Sequence, residues 1–292
     1  MDTSPATIIL PAFNEAHSIE AVIQGVRKVC PQEEILVIND GSTDETEAAA
    51  RTAGARVLSH PYNMGYGAAI KTGIRHARFR RLVFFDADRQ HDPKDIPRLL
   101  AALSQSDMAV GARPKGSGQW GRRYGKWFLY RVANYLVGRQ IPDLNSGLRA
   151  IDRDLALQFS HLLPNGFSLT TTLTLALFRS GYRVTYIPIE VFERVGTSTV
   201  SPKDFFKTLF LILRMITLFA PLKIFLPICL LLMLFAIPSA LHDLWHRNIA
   251  DTTVLLWLMT LLIFLFGLLA DTISLVSRKD FRNLPDDFTE EN

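Results

Sequence analysis

The chain has 292 residues, of which 48% are hydrophobic and 21% are charged. A chain of that length can hold one α/β domain of ordinary size together with a further apolar segment. Its formal net charge of +4 is small and dispersed, which argues against a nucleic-acid-binding protein. Cys30 and Cys229 fall in regions of different character, so no disulfide is expected and the composition fits a reducing compartment.

Short apolar runs alternate with segments of helical periodicity over the first two thirds of the chain. This alternation predicts an α/β domain with a mostly parallel, doubly wound sheet. The predicted strands are Thr7–Pro11, Ile35–Ile38, Arg56–Ser59, Leu82–Phe85, Met108–Gly111 and Tyr182–Val191.

The fourth of these runs stops at two carboxylates, Asp86 and Asp88. Asp92 and Pro93 predict the cap and first residue of a following helix, so the pair is expected at the carboxyl end of a strand, where open α/β sheets bind ligands. Asp86, Asp88 and Gln90 offer the hard oxygen atoms that suit Mg²⁺ or Mn²⁺. Because so few protein ligands rarely hold either ion alone, a substrate diphosphate is expected to complete the site. The alternative for so short a motif is an acidic pair in a solvated turn.

The loop after the second predicted strand carries another strand-end carboxylate, Asp40. Ser42 with Glu45 matches a capping box, which predicts a helix start at this point. Gly54 is placed to end that helix.

The glycines at 65 and 67 fail a dinucleotide-binding fingerprint, because its third glycine is replaced by Ile70 and the loop follows the third strand. Close packing of a helix start on the sheet is the other interpretation of Gly65 and Gly67.

Two uncharged, Leu-rich runs occupy the C-terminal third, at 224–241 and 252–270. Each is about long enough to cross a ~30 Å hydrocarbon core as a helix, and the alternative is a buried hairpin in a water-soluble protein. Lys and Arg residues precede the first run and follow the second, while the connecting loop carries only Arg247. The positive-inside rule therefore predicts that the first domain and both termini face the cytoplasm, and the N-terminal sequence has no secretory-signal pattern.

Two further segments are candidates for contact with the membrane. Residues 115–139 are basic and aromatic, which favours either anionic headgroups or an anionic substrate. From Asp204 the sequence predicts an amphipathic helix in the interface. The predicted domains are residues 1–200, an amphipathic helix at 201–222, a two-span hairpin at 223–277 and a cytoplasmic tail at 278–292.

Five ordered blocks together resemble glycosyltransferase family 2, and within it the dolichyl-phosphate mannose synthase-like branch, which glycosylates polyprenyl phosphates. The blocks are LPAFNE at 10–15, VINDGSTD at 37–44, FDADRQHDP at 85–93, DLNSGLR at 143–149 and RVGTS at 194–198. The resemblance covers about residues 5–200 and implies a GT-A domain.

The resemblance also implies roles for individual residues. The nucleotide base and ribose are expected near Pro11, Glu15 and Asp40, and the divalent metal on Asp86, Asp88 and Gln90. The acceptor phosphate is expected at Arg113, Arg131 and Arg194. Other motif residues expected to bind substrate are Asn14, Asp44, Asp143, Ser146, Arg149 and Ser198. The residues expected to act in catalysis are Asp88, Arg131 and Arg194.

The chemistry of a phosphate acceptor agrees with these blocks. A phosphate monoester, with a second pKa of roughly 6, is already a nucleophilic oxyanion at pH 7, so no general base is required. The sequence therefore predicts an inverting, Mg²⁺- or Mn²⁺-dependent transfer of sugar from a UDP- or GDP-linked donor to dolichyl or undecaprenyl phosphate at the cytoplasmic membrane face.

Two alternatives to this function remain. One is an enzyme of the same fold with another acceptor, such as a diacylglycerol or a growing polysaccharide. The other is a catalytically silent membrane scaffold that binds nucleotide sugars or partner subunits. Association of the chain with further copies of itself is left open.

Overall fold

The structure is a computed structural model that describes residues 4–114, 130–131, 134–135, 138, 140–166, 168–192, 217 and 220–279. The chain divides into two compact units, Met1–Phe205 and Phe206–Asn292. Most of the predicted basic, aromatic segment and of the predicted interfacial helix lies outside the described residues.

Strands and helices alternate through the described part of the first unit. The strands are β1 Ala6–Ala12, β2 Glu34–Asn39, β3 Arg56–Ser59, β4 Arg81–Phe84, β5 Met108–Ala112, β6 Arg149–Asp152 and β7 Val184–Pro188. The helices are α1 Ile19–Val29, α2 Thr46–Thr52, α3 Tyr66–His76, α4 Asp95–Ala102, α5 Arg153–Phe159 and α6 Leu169–Arg179, with a 3₁₀ turn at Ser160–Leu162.

The strands form one seven-stranded sheet in the order β3-β2-β1-β4-β6-β5-β7. Neighbouring strands are parallel except at β6, which is antiparallel to both β4 and β5. The expected α/β class with a mostly parallel sheet is confirmed.

The core lies on β1, β2 and β4, whose apolar side chains are buried because helices cover both faces of a parallel sheet. Each fully buried Ile or Val side chain contributes roughly 1.5–3 kcal/mol relative to an exposed one. Gly73 lets α3 approach β1 closely, since a β-carbon there would lie 2.4 Å from Ile9 Cγ2. This packing fixes the loops that follow the strands.

The strand β6 differs from the prediction, which described residues 142–149 as a polar turn. Arg149 begins β6, and its register pairs it with Phe84 of β4 and Val110 of β5. Pairing on both sides buries the strand despite its charged ends. Local sequence contains no signal for these distant partners.

Two helix starts also differ from their predictions. The helix α2 begins at Thr46, and the Ser42 hydroxyl accepts a hydrogen bond from the Asn14 backbone instead of capping it. The helix α4 begins at Asp95, two residues after Pro93, because the Asp92 carboxylate closes a turn by accepting from the Lys94 amide.

The described part of the second unit is a hairpin of α7, Leu222–His246, and α8, Asp251–Lys279. Both helices are long and apolar enough to cross a membrane, and only 11% and 17% of their most apolar windows are buried. A core helix of a water-soluble protein is mostly buried, so the exposure disagrees with the soluble-hairpin alternative.

Small and polar side chains line the contact between the two helices. The buried residues recur with a seven-residue spacing at Cys229, Ala236 and Asp243 of α7, and at Thr253, Thr260, Gly267 and Ser274 of α8. The Ser239 and Thr253 hydroxyls hydrogen-bond across the contact. Small residues let helix backbones approach each other where lipid offers no hydrophobic driving force.

Candidate active site

The carboxyl ends of β1, β2 and β4 meet at one edge of the sheet, because the three strands are parallel neighbours. Asp40 immediately follows β2, and Asp86 lies two residues beyond β4. The predicted site residues that surround these positions come from the loops at this edge.

Asp40 is buried and accepts three hydrogen bonds from its own chain. Its Oδ1 accepts from the Met64 amide at 2.9 Å and lies 2.7 Å from His60 Nδ1, and its Oδ2 accepts from the Gly65 amide at 2.8 Å. His60 also contacts the Thr72 hydroxyl at 2.9 Å through Nε2. Asp40 therefore anchors the loop before α3, and its expected contact with the nucleotide stays a prediction.

The loops after β1 and β2 are joined at Asn14 and Asp44. Asn14 has a left-handed backbone with φ of 55°, and its Oδ1 accepts from the Thr43 amide at 2.9 Å. The Asp44 carboxylate accepts from the Ala16 amide at 3.2 Å and from Thr46. Burial would raise the pKa of Asp44, but the hydrogen bonds from Thr46 and the Ala16 amide together lower it below its ordinary value. Asn14 and Asp44 remain exposed at the loop surface.

Pro11 and Glu15 flank the same loop. Pro11 is buried within β1, opposite Ile38 of β2. The half-buried Glu15 carboxylate accepts from the Ser18 hydroxyl at 2.7 Å and lies 3.9 Å from His17. The expected nucleotide-binding residues Pro11, Asn14 and Glu15 thus lie on one stretch beside Asp44.

Asp86 is enclosed by three neighbours. The Tyr66 hydroxyl donates to Oδ1 at 3.1 Å, His91 Nε2 lies 3.6 Å from Oδ2, and a β-carbon at Gly147 would lie 2.0 Å from Oδ2. Burial would raise the pKa of Asp86, but His91, Tyr66 and the nearby Arg113 charge lower it below its ordinary value. The carboxylate is therefore held ionised.

Asp88 lies on a tight turn beside Asp86. Its Oδ1 accepts from the Gln90 amide at 3.1 Å, and the intervening Arg89 has a left-handed φ of 61°. Asp88 and Gln90 are both partly exposed. The described residues contain no group of three or more His, Cys, Asp or Glu side chains that could hold a metal by themselves. Two hard carboxylates fit Mg²⁺ or Mn²⁺ that a substrate diphosphate completes.

Arg113 and Asp143 form a bidentate ion pair at the end of β5. Arg113 Nε and Nη2 donate to the two Asp143 oxygens at 2.6 and 2.9 Å, and the Tyr130 hydroxyl lies 3.4 Å from Oδ1. Burial would raise the pKa of Asp143, but the hydrogen bonds and charge of Arg113 lower it below its ordinary value. Arg131, next to Tyr130, is exposed.

Arg149 and Ser146 are fully buried and hydrogen-bond within the protein, and their expected contact with substrate stays a prediction. The guanidinium donates twice to the Ser146 carbonyl, at 3.0 and 2.7 Å, and also to Thr170 and Thr174. These bonds hold the segment that presses Gly147 against Asp86. The expected sites Arg194 and Ser198 lie outside the described residues.

Three contacts of the site were not predicted from the sequence. Tyr66 and His91 surround Asp86, and His60 contacts Asp40. Tyr66 and His60 each lie 20 residues from the carboxylate that they contact. His91 is nearby in sequence, but its buried orientation depends on the bridge between its backbone and Val191.

Two family models match the chain. The model of Glycosyl transferase family 2 matches residues 7–158, and that of the GtrB C-terminal hairpin matches residues 220–276. The second match supports a membrane location for α7 and α8.

Relatives match across most of their own length. The undecaprenyl-phosphate mannosyltransferase of Micrococcus luteus is 29% identical over 66% of this chain and 86% of that protein. The polyprenol monophosphomannose synthase of Mycolicibacterium smegmatis is 31% identical over 71% of this chain and 85% of that protein.

Solved structures share the fold. The glucosyl-3-phosphoglycerate synthase of Mycobacterium tuberculosis, in complex with Mn²⁺, UDP and glucosyl-3-phosphoglycerate, matches with a TM-score of 0.60 and 20% identity. The match covers 73% of this chain and 79% of that one. The first unit has the GT-A fold.

Proposed function

Because the chain belongs to glycosyl transferase family 2 and is a glycosyltransferase, we propose that it transfers a sugar from a nucleotide-diphosphate donor to polyprenyl phosphate. The transfer is inverting, depends on Mg²⁺ or Mn²⁺, and takes place at the cytoplasmic face of the membrane. The observation that carries this proposal is the Asp86–Asp88 pair, two carboxylates that follow a buried parallel strand at the ligand-binding edge.

The carboxylate pair supports a donor that carries a diphosphate. Asp86, Asp88 and Gln90 would hold the divalent ion, which supplies charge neutralisation for the departing diphosphate. Without an ion the two carboxylates would repel that diphosphate. The similar synthase that binds Mn²⁺ with UDP supports the same pairing of metal and nucleotide.

The relatives support polyprenyl phosphate as the acceptor. The two described above and a dolichyl-phosphate hexose transferase of Haloferax volcanii, 27% identical, are all named for polyprenyl phosphate chemistry. An acceptor of this kind resides in the membrane, where α7 and α8 would hold the enzyme.

The main role of the protein in the reaction is to position the two substrates. The acceptor phosphate is its own nucleophile, so the enzyme must align a phosphate oxygen with the anomeric carbon. Exposed Arg131 can bind a phosphate with a two-pronged guanidinium, and Arg194 is proposed to act with it. Arg113 forms an ion pair with Asp143, which fixes the loop. Its positive charge also lies near Asp86.

The acceptor can be tested directly with the purified full-length chain. The experiment offers a panel of UDP- and GDP-linked sugars together with polyprenyl phosphate, polyprenol or diacylglycerol, and follows the lipid product by chromatography and mass. We expect one donor to yield a polyprenyl-phosphate sugar, and polyprenol to give nothing because it lacks the nucleophilic phosphate. Equal transfer to diacylglycerol would favour the enzyme with another acceptor, and nucleotide binding without transfer to any acceptor would favour the scaffold.

The orientation of the hairpin needs its own experiment. Single cysteines at Asn248 and Asn292 can be labelled with a membrane-impermeant thiol reagent in intact cells, and the native Cys30 and Cys229 are buried. Because Lys and Arg lie on the outer flanks of the hairpin, position 248 should react in intact cells and position 292 only after permeabilisation. The reverse pattern would contradict the proposed orientation.

A further inference from the structure

Resting on the proposed metal-dependent function, we propose that Tyr66 is a positioning residue that sets the orientation of the Asp86 carboxylate for the metal ion. Tyr66 has no role in the sequence blocks that carry the family resemblance. Its hydroxyl donates to Asp86 Oδ1 at 3.1 Å, from the first residue of α3. The tyrosine acts on the metal only through Asp86.

The backbone on either side of Tyr66 lies against the Pro164–Gly166 segment. Gly65, with φ of 100°, and Gly67 allow the Pro164–Gly166 segment to lie against the start of α3. A β-carbon at Gly65 would lie 2.6 Å from the Asn165 carbonyl oxygen, and one at Gly67 would lie 2.2 Å from that of Pro164. Side chains at either position would therefore force the two segments apart.

Hydrogen bonds complete this docking. The Asn165 carbonyl accepts from the Gly67 and Ala68 amides at 2.7 and 3.1 Å, which satisfies donors that a helix start leaves unpaired. Lys71 donates to Asn165 Oδ1 at 2.5 Å and to the Leu163 carbonyl at 3.1 Å. The start of α3, from which the Tyr66 side chain extends, is thereby fixed to the Leu163–Gly166 segment.

The other faces of Asp86 leave its orientation dependent on this hydroxyl. Gly147 and His91 limit the space around Oδ2, but the nitrogen of His91 is 3.6 Å away, beyond ordinary hydrogen-bond length. The terminal torsion of an aspartate is broad, so steric limits alone do not select one direction for its lone pairs. The bond from Tyr66 to Oδ1 selects that direction.

If the Tyr66 ring served only for packing, removal of its hydroxyl would leave Mn²⁺ binding unchanged. Phenylalanine fills nearly the same volume without the donor, so Tyr66→Phe separates the hydroxyl's role from the ring's. The matched control is Tyr182→Phe, which removes a hydroxyl that contacts Gln158 Oε1 at 3.4 Å. Tyr182 precedes β7 and lies at the opposite edge of the sheet.

The test measures Mn²⁺ binding by the loss of its free-ion electron paramagnetic resonance signal, with UDP or GDP present, in the full-length chain. We expect Tyr66→Phe to weaken Mn²⁺ binding by about 10- to 100-fold, as loss of a partner that orients a metal ligand does, and Tyr182→Phe to leave it unchanged. Turnover of Tyr66→Phe should recover at saturating Mn²⁺. The thermal unfolding midpoints of the two variants should equal each other.

A second variant keeps the test decisive if phenylalanine disturbs the fold. Replacing Tyr66 with 4-aminophenylalanine restores a donor at the same place, and should restore Mn²⁺ affinity to within a few-fold of the wild type. Wild-type affinity in a folded Tyr66→Phe chain, or no rescue by the amine, would overturn the inference alone. A wild-type chain that binds no Mn²⁺ with either nucleotide would contradict the proposed metal dependence, and this inference with it.

Discussion

Asp40 and Asp86 occupy similar places in the sequence, each just beyond a buried parallel strand, yet the structure uses them differently. The Asp40 side chain is 5% exposed and accepts from two backbone amides beside His60. The Asp86 side chain is 25% exposed and lies beside partly exposed Asp88. The Asp40 carboxylate is buried and hydrogen-bonded to its own chain, whereas Asp86 and Asp88 are partly exposed.

The difference shows that a strand-end carboxylate becomes a ligand site only if the neighbouring loops leave its oxygens accessible. The loop after β3 folds back over Asp40, because Met64 and Gly65 turn their amides toward it. Around Asp86, the close approach of Gly147 limits one side and leaves the Asp88 side accessible.

The largest effect is expected for Asp88→Asn. An asparagine oxygen can still accept from the Gln90 amide, so the turn and the unfolding midpoint should be kept. Loss of a charged metal ligand should lower turnover by at least about a hundredfold, since a bound ion stabilises developing charge by several kcal/mol. Steady-state kinetics and thermal unfolding measure the two quantities, and near-wild-type turnover would mean that Asp88 holds no metal.

Arg131→Ala should have the next largest effect. The lost contact with a charged phosphate is worth roughly 1.5–3 kcal/mol, which corresponds to about a tenfold to hundredfold loss in apparent acceptor affinity. Lysine should rescue only part of it, because an ammonium cannot make two parallel bonds. Kinetics with each substrate varied in turn, together with calorimetry of nucleotide binding, checks this. If Arg131→Ala weakens nucleotide binding as much as acceptor use, Arg131 serves the donor.

For Asp40→Asn we expect the opposite of Asp88→Asn, with a loss of stability as the main effect. The amide keeps one acceptor oxygen and places an N–H group against donors that the carboxylate satisfied, at a cost to folding of about 1–3 kcal/mol. The free energy of unfolding, measured with denaturant, should fall by that amount. An Asp40→Asn chain as stable as the wild type, but unable to bind nucleotide, would return Asp40 to the substrate-binding role that its sequence motif implies.

The smallest of these effects is expected for the Arg113–Asp143 pair, whose contribution to stability should be lost in acid. The pKa of Asp143 in the folded protein lies below its ordinary value, so the pair contributes stability above about pH 4 and loses it as the pH falls through the folded-state pKa. Between pH 6 and pH 3 the wild type should therefore lose more unfolding free energy than Asp143→Asn. Parallel losses in the two proteins would mean that the pair contributes no pH-dependent stability.

The features that depend on local sequence pattern could be predicted from the sequence. The apolar runs predicted β1, β2 and β4, and the glycine at 54, with φ of 84°, follows the end of α2 as expected. These features follow from side-chain size and backbone freedom within a few residues. The acidic motif after β4 was likewise visible, because it interrupts a strongly apolar run.

The remaining features depend on contacts between distant parts of the chain. Arg149 belongs to a recognisable motif, but its burial depends on the Ser146, Thr170 and Thr174 oxygens that meet it only in the folded protein. Tyr66 reaches Asp86 because α3 packs beside β1. Residue types could therefore suggest which carboxylates are proposed to bind metal, while the groups that contact those carboxylates could be identified only from the structure.

The metal requirement of the purified full-length enzyme tests the central claim most directly. Sugar transfer to polyprenyl phosphate should cease when a chelator removes divalent ions, and should return when Mg²⁺ or Mn²⁺ is added in excess, because the accessible carboxylates would otherwise repel the donor diphosphate. Transfer that continues at the same rate in chelator would contradict the assignment of Asp86 and Asp88 to a metal.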